Sequence, residues 1–180
     1  MQIVSFFCLK GTLINYIQYS DSINKFQKQT TMKNPNIQEI KLHYIANKGN
    51  QQITIKSSQE AYAAFKNIFD ENTLAIREEF NIIYLNRANK VIGSYQDFKG
   101  GITGVAVDLR LIFAVALKCL AVTIIVAHNH PTNNLKPSQE DLNITQKLHD
   151  AGKILDINLM DHLILGTDNN YVSFVQEGWM

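Results

Sequence analysis

Sulfur is scarce in this chain: Cys8 and Cys119 are its only cysteines. They lie far apart and form no C-x-x-C, so a Cys-rich structural zinc site is excluded and a disulfide framework is not expected. A reducing compartment fits that usage. An excess of positive charge is missing as well. Lysine and arginine number 17 against 16 aspartates and glutamates, for a net charge of +1. No basic stripe announces a nucleic-acid binder, and only a local patch would leave that partner open. Long apolar runs are also absent. The stretch Met1–Leu9 is too short to span a bilayer, and it has neither a basic n-region nor a small-residue cleavage site. Residues 111–127 are apolar but interrupted by Lys118, and divide into a helix and a strand. No membrane partner is expected, and the cytoplasm is the default compartment. There is no internal repeat and no flexible interdomain linker after residue 56.

What is present sharpens along the chain. Residues 1–31, rich in Ile, Asn, Gln, Ser and Tyr, show no clean period and read as a disordered or spurious N-terminal extension. Met32-Lys33-Asn34-Pro35 looks like a fresh start, with Met32 expected as initiator. A native product whose intact mass begins at Met1 would contradict this. Residues 32–56 form a strand or hairpin segment: Ile40, Leu42 and Tyr44 alternate with polar residues, Gly49-Asn50 signals a turn, and Ile53 and Ile55 alternate again. From residue 57 onwards the pattern is that of one domain. Ser57-x-x-Glu60 is a capping box before a helix with Ala61, Phe65 and Ile68 on one face. Phe80–Leu85 is a strand, Asn86–Asn89 a turn, and Lys90–Tyr95 a returning strand. Asp108 caps a helix that is apolar almost all round, so it is expected to be buried. The strand at 122–127 follows it. Ile144, Leu148, Ala151 and Leu155 mark another helix, with Gly152 as its terminator. Ile157–Leu165 is the last clear strand, and Tyr171–Phe174 adds an edge. Strict βαβ alternation is absent, so the expected class is α/β or α+β: a mixed sheet flanked by helices.

The chemistry concentrates at the end of the 122–127 strand. His128-Asn129-His130-Pro131 closes a β-branched apolar run, and residues i and i+2 of an extended chain face the same side. Both imidazoles can therefore address one point, and Pro131 stops the strand. Asp141 lies eleven residues beyond His130. Two histidines and a carboxylate with a fourth position open make the composition of a catalytic zinc site. Ser138-x-x-Asp141 is also a capping box, and capping alone would account for both residues. Glu78 and Glu79 precede a strand, where only one of them can share a face with Phe80; a solvated pair is the plain reading. His162, next to Asp161 in an apolar strand, is either a buried, hydrogen-bonded core histidine or a support to the metal ligands. A contiguous His-Asn-His is no evidence for the nucleases named after those letters, whose residues are dispersed.

These residues resemble a known signature. His128-x-His130-Pro131 followed by Ser138-x-x-Asp141 matches the JAMM (MPN-plus) metalloprotease pattern, Glu … His-x-His-x7-Ser-x-x-Asp. Ala127-His128-Asn129-His130-Pro131, Pro137-Ser138, Met160-Asp161-His162-Leu163-Ile164-Leu165-Gly166, Tyr171–Phe174 and Gly178-Trp179 look like the RadC branch. In Arg77-Glu78-Glu79-Phe80 the family glutamate, two residues before a phenylalanine, falls on Glu78. The resemblance covers residue 57 to the end. It implies a JAB/MPN-type fold, similar to cytidine deaminases, with one Zn2+ held by His128, His130 and Asp141. Glu78 would be the general base and Ser138 the oxyanion stabiliser, in hydrolysis of an amide or isopeptide bond of a peptide or protein substrate. Asn129 stands where eukaryotic JAMM proteases carry Ser or Thr, as it does in the RadC branch. Thr132-Asn133 replaces a usual Ser-Gly. The helix-hairpin-helix module of longer RadC proteins has no counterpart in residues 1–56. The alternative is a non-enzymatic accessory protein of DNA repair or mobile elements with a structural metal. A deaminase is not favoured, since the H-x-E … P-C-x-x-C signature is missing.

Overall fold

The computed structural model describes residues 52–101 and 104–180. The expectations for residues 1–31, for the strand at 40–44 and for the Gly49-Asn50 turn lie outside the described residues. The far end of that hairpin segment is described: Thr54 bridges Lys90 and Ile55 is fully buried.

Among the described residues three helices, α1 (Ser58–Lys66), α2 (Leu109–Lys118) and α3 (Gln139–Leu155), flank strands β1 (Glu79–Leu85), β2 (Val91–Lys99), β3 (Thr123–Asn129), β4 (Asn158–Leu165) and β5 (Tyr171–Ser173). The strands form one sheet in the order β2-β1-β3-β4-β5. Only β3 and β4 pair in parallel, and α3 supplies the crossover that a parallel pair requires. The other neighbours are antiparallel. The fold is therefore α/β with a mixed sheet, as the residue pattern implies.

Burial explains the patterning. Every residue of β1 and β3 is buried, because both are internal and both faces are covered. One face packs Phe80, Ile82, Tyr84, Ile124 and Val126 against α2 and α3. The other packs Ile83, Leu85, Ile125 and Ala127 against Ala61, Tyr62 and Phe65 of α1. At about 25 cal/mol per Å2 of apolar surface, each Ile, Leu, Val or Phe among them contributes roughly 1.5–3 kcal/mol.

Four local expectations change. α2 is not buried all round: Ile112, Phe113 and Ala116 face the core, while Leu111 and Leu117 stay 46% and 50% exposed. A single sheet contact covers only one side of a helix. β2 runs on to Lys99 rather than stopping at Tyr95, since an edge strand tolerates polar residues on its open face. Glu60 does not close the capping box: Ser57 accepts from its N–H at 3.2 Å, but its carboxylate takes the N–H of Lys56 at 2.6 Å. Gly152 does not end α3, either. It sits within the helix, where a Cβ would lie 2.3 Å from the Ile157 carbonyl oxygen. Asp156, left-handed at φ 54°, is the terminator.

Candidate metal centre

The centre is assembled at one end of the two internal strands. His128, near the end of β3, pairs with Phe80 of β1 and Ile164 of β4, so its backbone is fixed on both sides. His130 lies one residue past the strand, but its N–H still donates to the Leu165 carbonyl at 3.0 Å. The extended course thus persists long enough for both rings to point the same way, and their Nε2 atoms stand 3.0 Å apart. The chain then turns. Asn133 is left-handed at φ 59°, the conformation glycine takes most readily and asparagine tolerates best among the rest. This gives a physical reason for the departure at Thr132-Asn133: asparagine meets the turn's backbone demand without glycine. The turn brings the Asn134 carbonyl against His130 Nδ1.

Asp141 arrives on the first turn of α3. Its Oδ2 accepts from both the N–H and the hydroxyl of Ser138, at 2.7 Å each, while the Asp141 N–H donates back to the Ser138 hydroxyl oxygen at 3.1 Å. This capping box leaves Oδ1 free, 3.2 Å from His128 Nε2; His130 Nε2 lies 3.6 Å from Oδ2. Ser138 therefore lines the centre with its single hydroxyl proton directed at Asp141.

Glu78 completes the group. One ligand atom each from Glu78, His128, His130 and Asp141 lie within 4.8 Å of one another. Its backbone is held against the Gly100-Gly101 bend, its N–H donating to Gly101 at 3.2 Å and its carbonyl accepting from Gly100 at 2.8 Å. Glu79 faces elsewhere, bonded to Arg77 at 2.8 Å and Thr73 at 3.1 Å. Alternation at the head of β1 sends the two carboxylates to opposite faces.

Two contributors carry little signal in the sequence. Asn129, between the histidines, points to the other side of β3 and is almost fully buried. Its Oδ1 accepts from the Glu79 N–H at 2.8 Å, and its amide donates to the carbonyls of Leu74 at 2.7 Å and Arg77 at 2.9 Å. It thereby clasps the segment that presents Glu78. Thr145, one helical turn after Asp141, donates to the Asp141 carbonyl at 2.6 Å and meets His162 Nδ1 at 2.7 Å. His162 Nε2 in turn lies 2.8 Å from His128 Nδ1. The spacing of four between Asp141 and Thr145 was the only hint of the second contributor. His162 is thus a core histidine and a support to His128 at once.

Electrostatics follow from the crowding. Burial by itself would raise the Asp141 carboxyl, but the His128 and His130 rings beside it and the Ser138 hydroxyl together hold it well below the usual carboxylate range. The bond to Asp141 raises His130 above the ordinary histidine value against the opposing pull of burial. His162, wholly buried and stacked on Phe174 at 4.4 Å, is pushed far below it by desolvation, so it stays neutral.

This donor set suits a metal ion. Bonds of about 2.0–2.2 Å to N and O place tetrahedral ligand atoms roughly 3.4 Å apart. The 3.0 Å between the two Nε2 atoms and the 3.2 Å from His128 Nε2 to Asp141 Oδ1 lie close to that value. The arrangement opens on a cavity of about 570 Å3, lined by Glu78, Ser138 and Asp141 and by the apolar Val105, Val107 and Ile144.

Comparison with known proteins agrees with this architecture. The family model described as RadC-like JAB domain matches residues 55–179. A UPF0758 protein of Flavobacterium johnsoniae is 46% identical over 124 residues, covering 69% of this chain and 52% of that protein. UPF0758 proteins of Porphyromonas gingivalis and Clostridium perfringens are 37% and 41% identical, over 68% and 62% of this chain and 54% and 49% of theirs. The chain spans about half the length of these curated relatives. No described helix is long and apolar enough to cross a membrane.

Proposed function

Since the chain belongs to the RadC-like JAB domain family, we propose that it is a zinc-dependent hydrolase acting on amide or isopeptide bonds of a peptide or protein. The observation that supports this most is the convergence of His128, His130, Asp141 and Glu78 beside an open cavity that Glu78, His130 and Asp141 line. His128 and His130 would hold the ion through Nε2, and Asp141 through Oδ1. A bound zinc ion supplies Lewis acidity and lowers the pKa of a coordinated water to about 7.

The remaining work belongs to the chain. Glu78 has no hydrogen-bonded partner for its carboxylate among the described residues, and it faces the cavity, so it is free to accept a proton from water and pass it to the leaving amine. Ser138 can redirect its hydroxyl from Asp141 Oδ2 towards an oxyanion in the cavity, contributing a hydrogen bond where negative charge develops. The N-terminus of α3, on which Ser138 and Asp141 sit, adds positive potential there. Val105, Val107 and Ile144 offer an apolar wall against which a substrate side chain can exclude water.

Metal analysis and a peptide-library screen test this reading together. Wild type should carry one zinc per chain. Asp141→Ala should lose it, and Glu78→Ala should keep it while losing cleavage. Absence of zinc from the wild-type protein sinks the proposal.

A further inference from the structure

Both metal-facing nitrogens must present lone pairs, yet a neutral imidazole carries a proton on one nitrogen or the other. Which nitrogen is protonated depends on what the far side of each ring meets. For His130 the far nitrogen, Nδ1, meets the Asn134 carbonyl. A carbonyl only accepts, so Nδ1 holds the proton and Nε2 is bare. For His128 the far nitrogen meets another histidine, and the answer has to be traced further. The trace ends at a second carbonyl, that of Asp141, which receives the Thr145 hydroxyl proton at 2.6 Å. With its proton committed there, Thr145 Oγ1 can only accept from His162 Nδ1 at 2.7 Å. His162 Nε2 is then bare and accepts from His128 Nδ1 at 2.8 Å. His128 Nε2 is left bare, facing Asp141 Oδ1 at 3.2 Å.

We infer that Thr145 and His162 are positioning residues whose one-way hydrogen-bond relay, anchored on the Asp141 carbonyl, holds His128 in the tautomer that can bind a metal. The reversed relay would turn the Thr145 oxygen and the Asp141 carbonyl lone pair to lone pair at 2.6 Å, so the backbone of α3 sets its direction. The rings have no freedom to escape it. His162 is sealed between Phe174, stacked at 4.4 Å, and Phe80, edge-on at 5.5 Å, and His128 stacks parallel to Phe80 at 6.1 Å. The same helical turn thus delivers a ligand, Asp141, and sets the proton on its neighbouring ligand, His128. This rests on the metal-binding reading of the site, but the relay itself is readable without any metal.

Two measurements separate them. Long-range 1H–15N spectra of the metal-free full-length protein, at a pH above the histidine titration, report which nitrogen of each of the five imidazoles carries its proton. His128 should be protonated on Nδ1 in wild type. In Thr145→Val, which keeps shape but removes the hydroxyl, and in His162→Phe, which keeps the stacked ring but removes the acceptor, it should lose that preference. Zinc affinity by competition with a chelating dye should fall about 10–100-fold in both variants, the usual effect of losing a partner behind a ligating histidine. His162→Gln, whose amide can accept from His128 and donate to Thr145, should restore affinity to within a few-fold of wild type. Wild-type His128 protonated on Nε2, or unchanged zinc affinity in folded Thr145→Val, overturns the relay. A wild type that shows the Nδ1 tautomer and binds no zinc upholds the relay and overturns the metal reading instead. Should His162→Phe fail to fold, the wild-type spectrum and Thr145→Val still decide.

Discussion

Two buried carboxylates, Asp141 and Asp161, lie on opposite faces of the same sheet and make different kinds of site. Asp161 is 3% exposed and accepts four hydrogen bonds: Ser58 and Ser173 hydroxyls on Oδ2, at 2.8 and 2.7 Å, and the N–H groups of His162 and Val175 on Oδ1, at 2.8 and 3.2 Å. Every direction around it is a donor, so its charge is solvated by the protein and nothing more is required. Asp141 is 8% exposed, and Ser138 satisfies only Oδ2. Its Oδ1 faces His128 Nε2, and His130 Nε2 stands beside it. A carboxylate ringed by donors is structure; one whose second oxygen faces imidazole nitrogens has a place for a cation. The motif aspartate and its quiet neighbour on β4 differ by that alone.

The contrast can be broken in order of expected effect. Asp161→Ala leaves four donors without an acceptor, two of them buried and two part-buried, and at about 1–3 kcal/mol for each unsatisfied group, partly relieved by relaxation, it should cost about 3 kcal/mol of stability. Urea unfolding measures it, and zinc affinity of the folded fraction should hold. Asn129→Ala strands the Glu79 N–H and two carbonyls, costing roughly 2–3 kcal/mol and loosening the segment that carries Glu78 while the histidine pair stays in place. Asp141→Ala should cost only about 1 kcal/mol in the metal-free protein, the value of a helix cap, yet abolish metal binding. Equal stability losses at 141 and 161 would erase the distinction. At the small end, Glu78→Gln should leave the unfolding free energy within about 0.5 kcal/mol of wild type, as expected for a surface-facing change.

Acidity sharpens the same comparison. His130 titrates above the ordinary value of about 6.5 because Asp141 bonds to its charged form. In the metal-free protein that raised value adds stability that is fully present below the unfolded pKa. The contribution is lost as pH rises through the folded one. Metal has the opposite sign: the ion must displace this proton, so zinc affinity should fall as pH drops, starting at a higher pH than an unperturbed histidine would give. Calorimetric titrations in buffers of different ionisation enthalpy count the protons released.

Much of this was legible in the residues. The β3 run ending at His128 and His130, the Ser138-x-x-Asp141 cap and the mixed sheet follow from period, breakers and capping chemistry, all of which are local. Between Glu78 and Glu79 local chemistry is mute, and resemblance alone favoured Glu78; the β1 register then sends Glu79 to Arg77 and Thr73. The roles of Asn129 and Thr145 cannot be read from the residues because their partners are 50 and 17 residues away, at Glu79 and His162, and such pairs exist only once strands and helix are docked. Gly152 reads as a terminator for the same reason: its small size serves the Ile157 carbonyl across the turn, not the end of the helix.

The central claim is that His128, His130 and Asp141 form a metal site rather than a polar cluster at a helix cap. Zinc titration of the metal-free full-length protein, followed by thermal unfolding with and without the ion, addresses it most directly. One ion per chain, bound with proton release and raising stability by about 2.7 kcal/mol at a free concentration of 100 times Kd, is the expected result. No binding, or binding that survives Asp141→Ala, would contradict it.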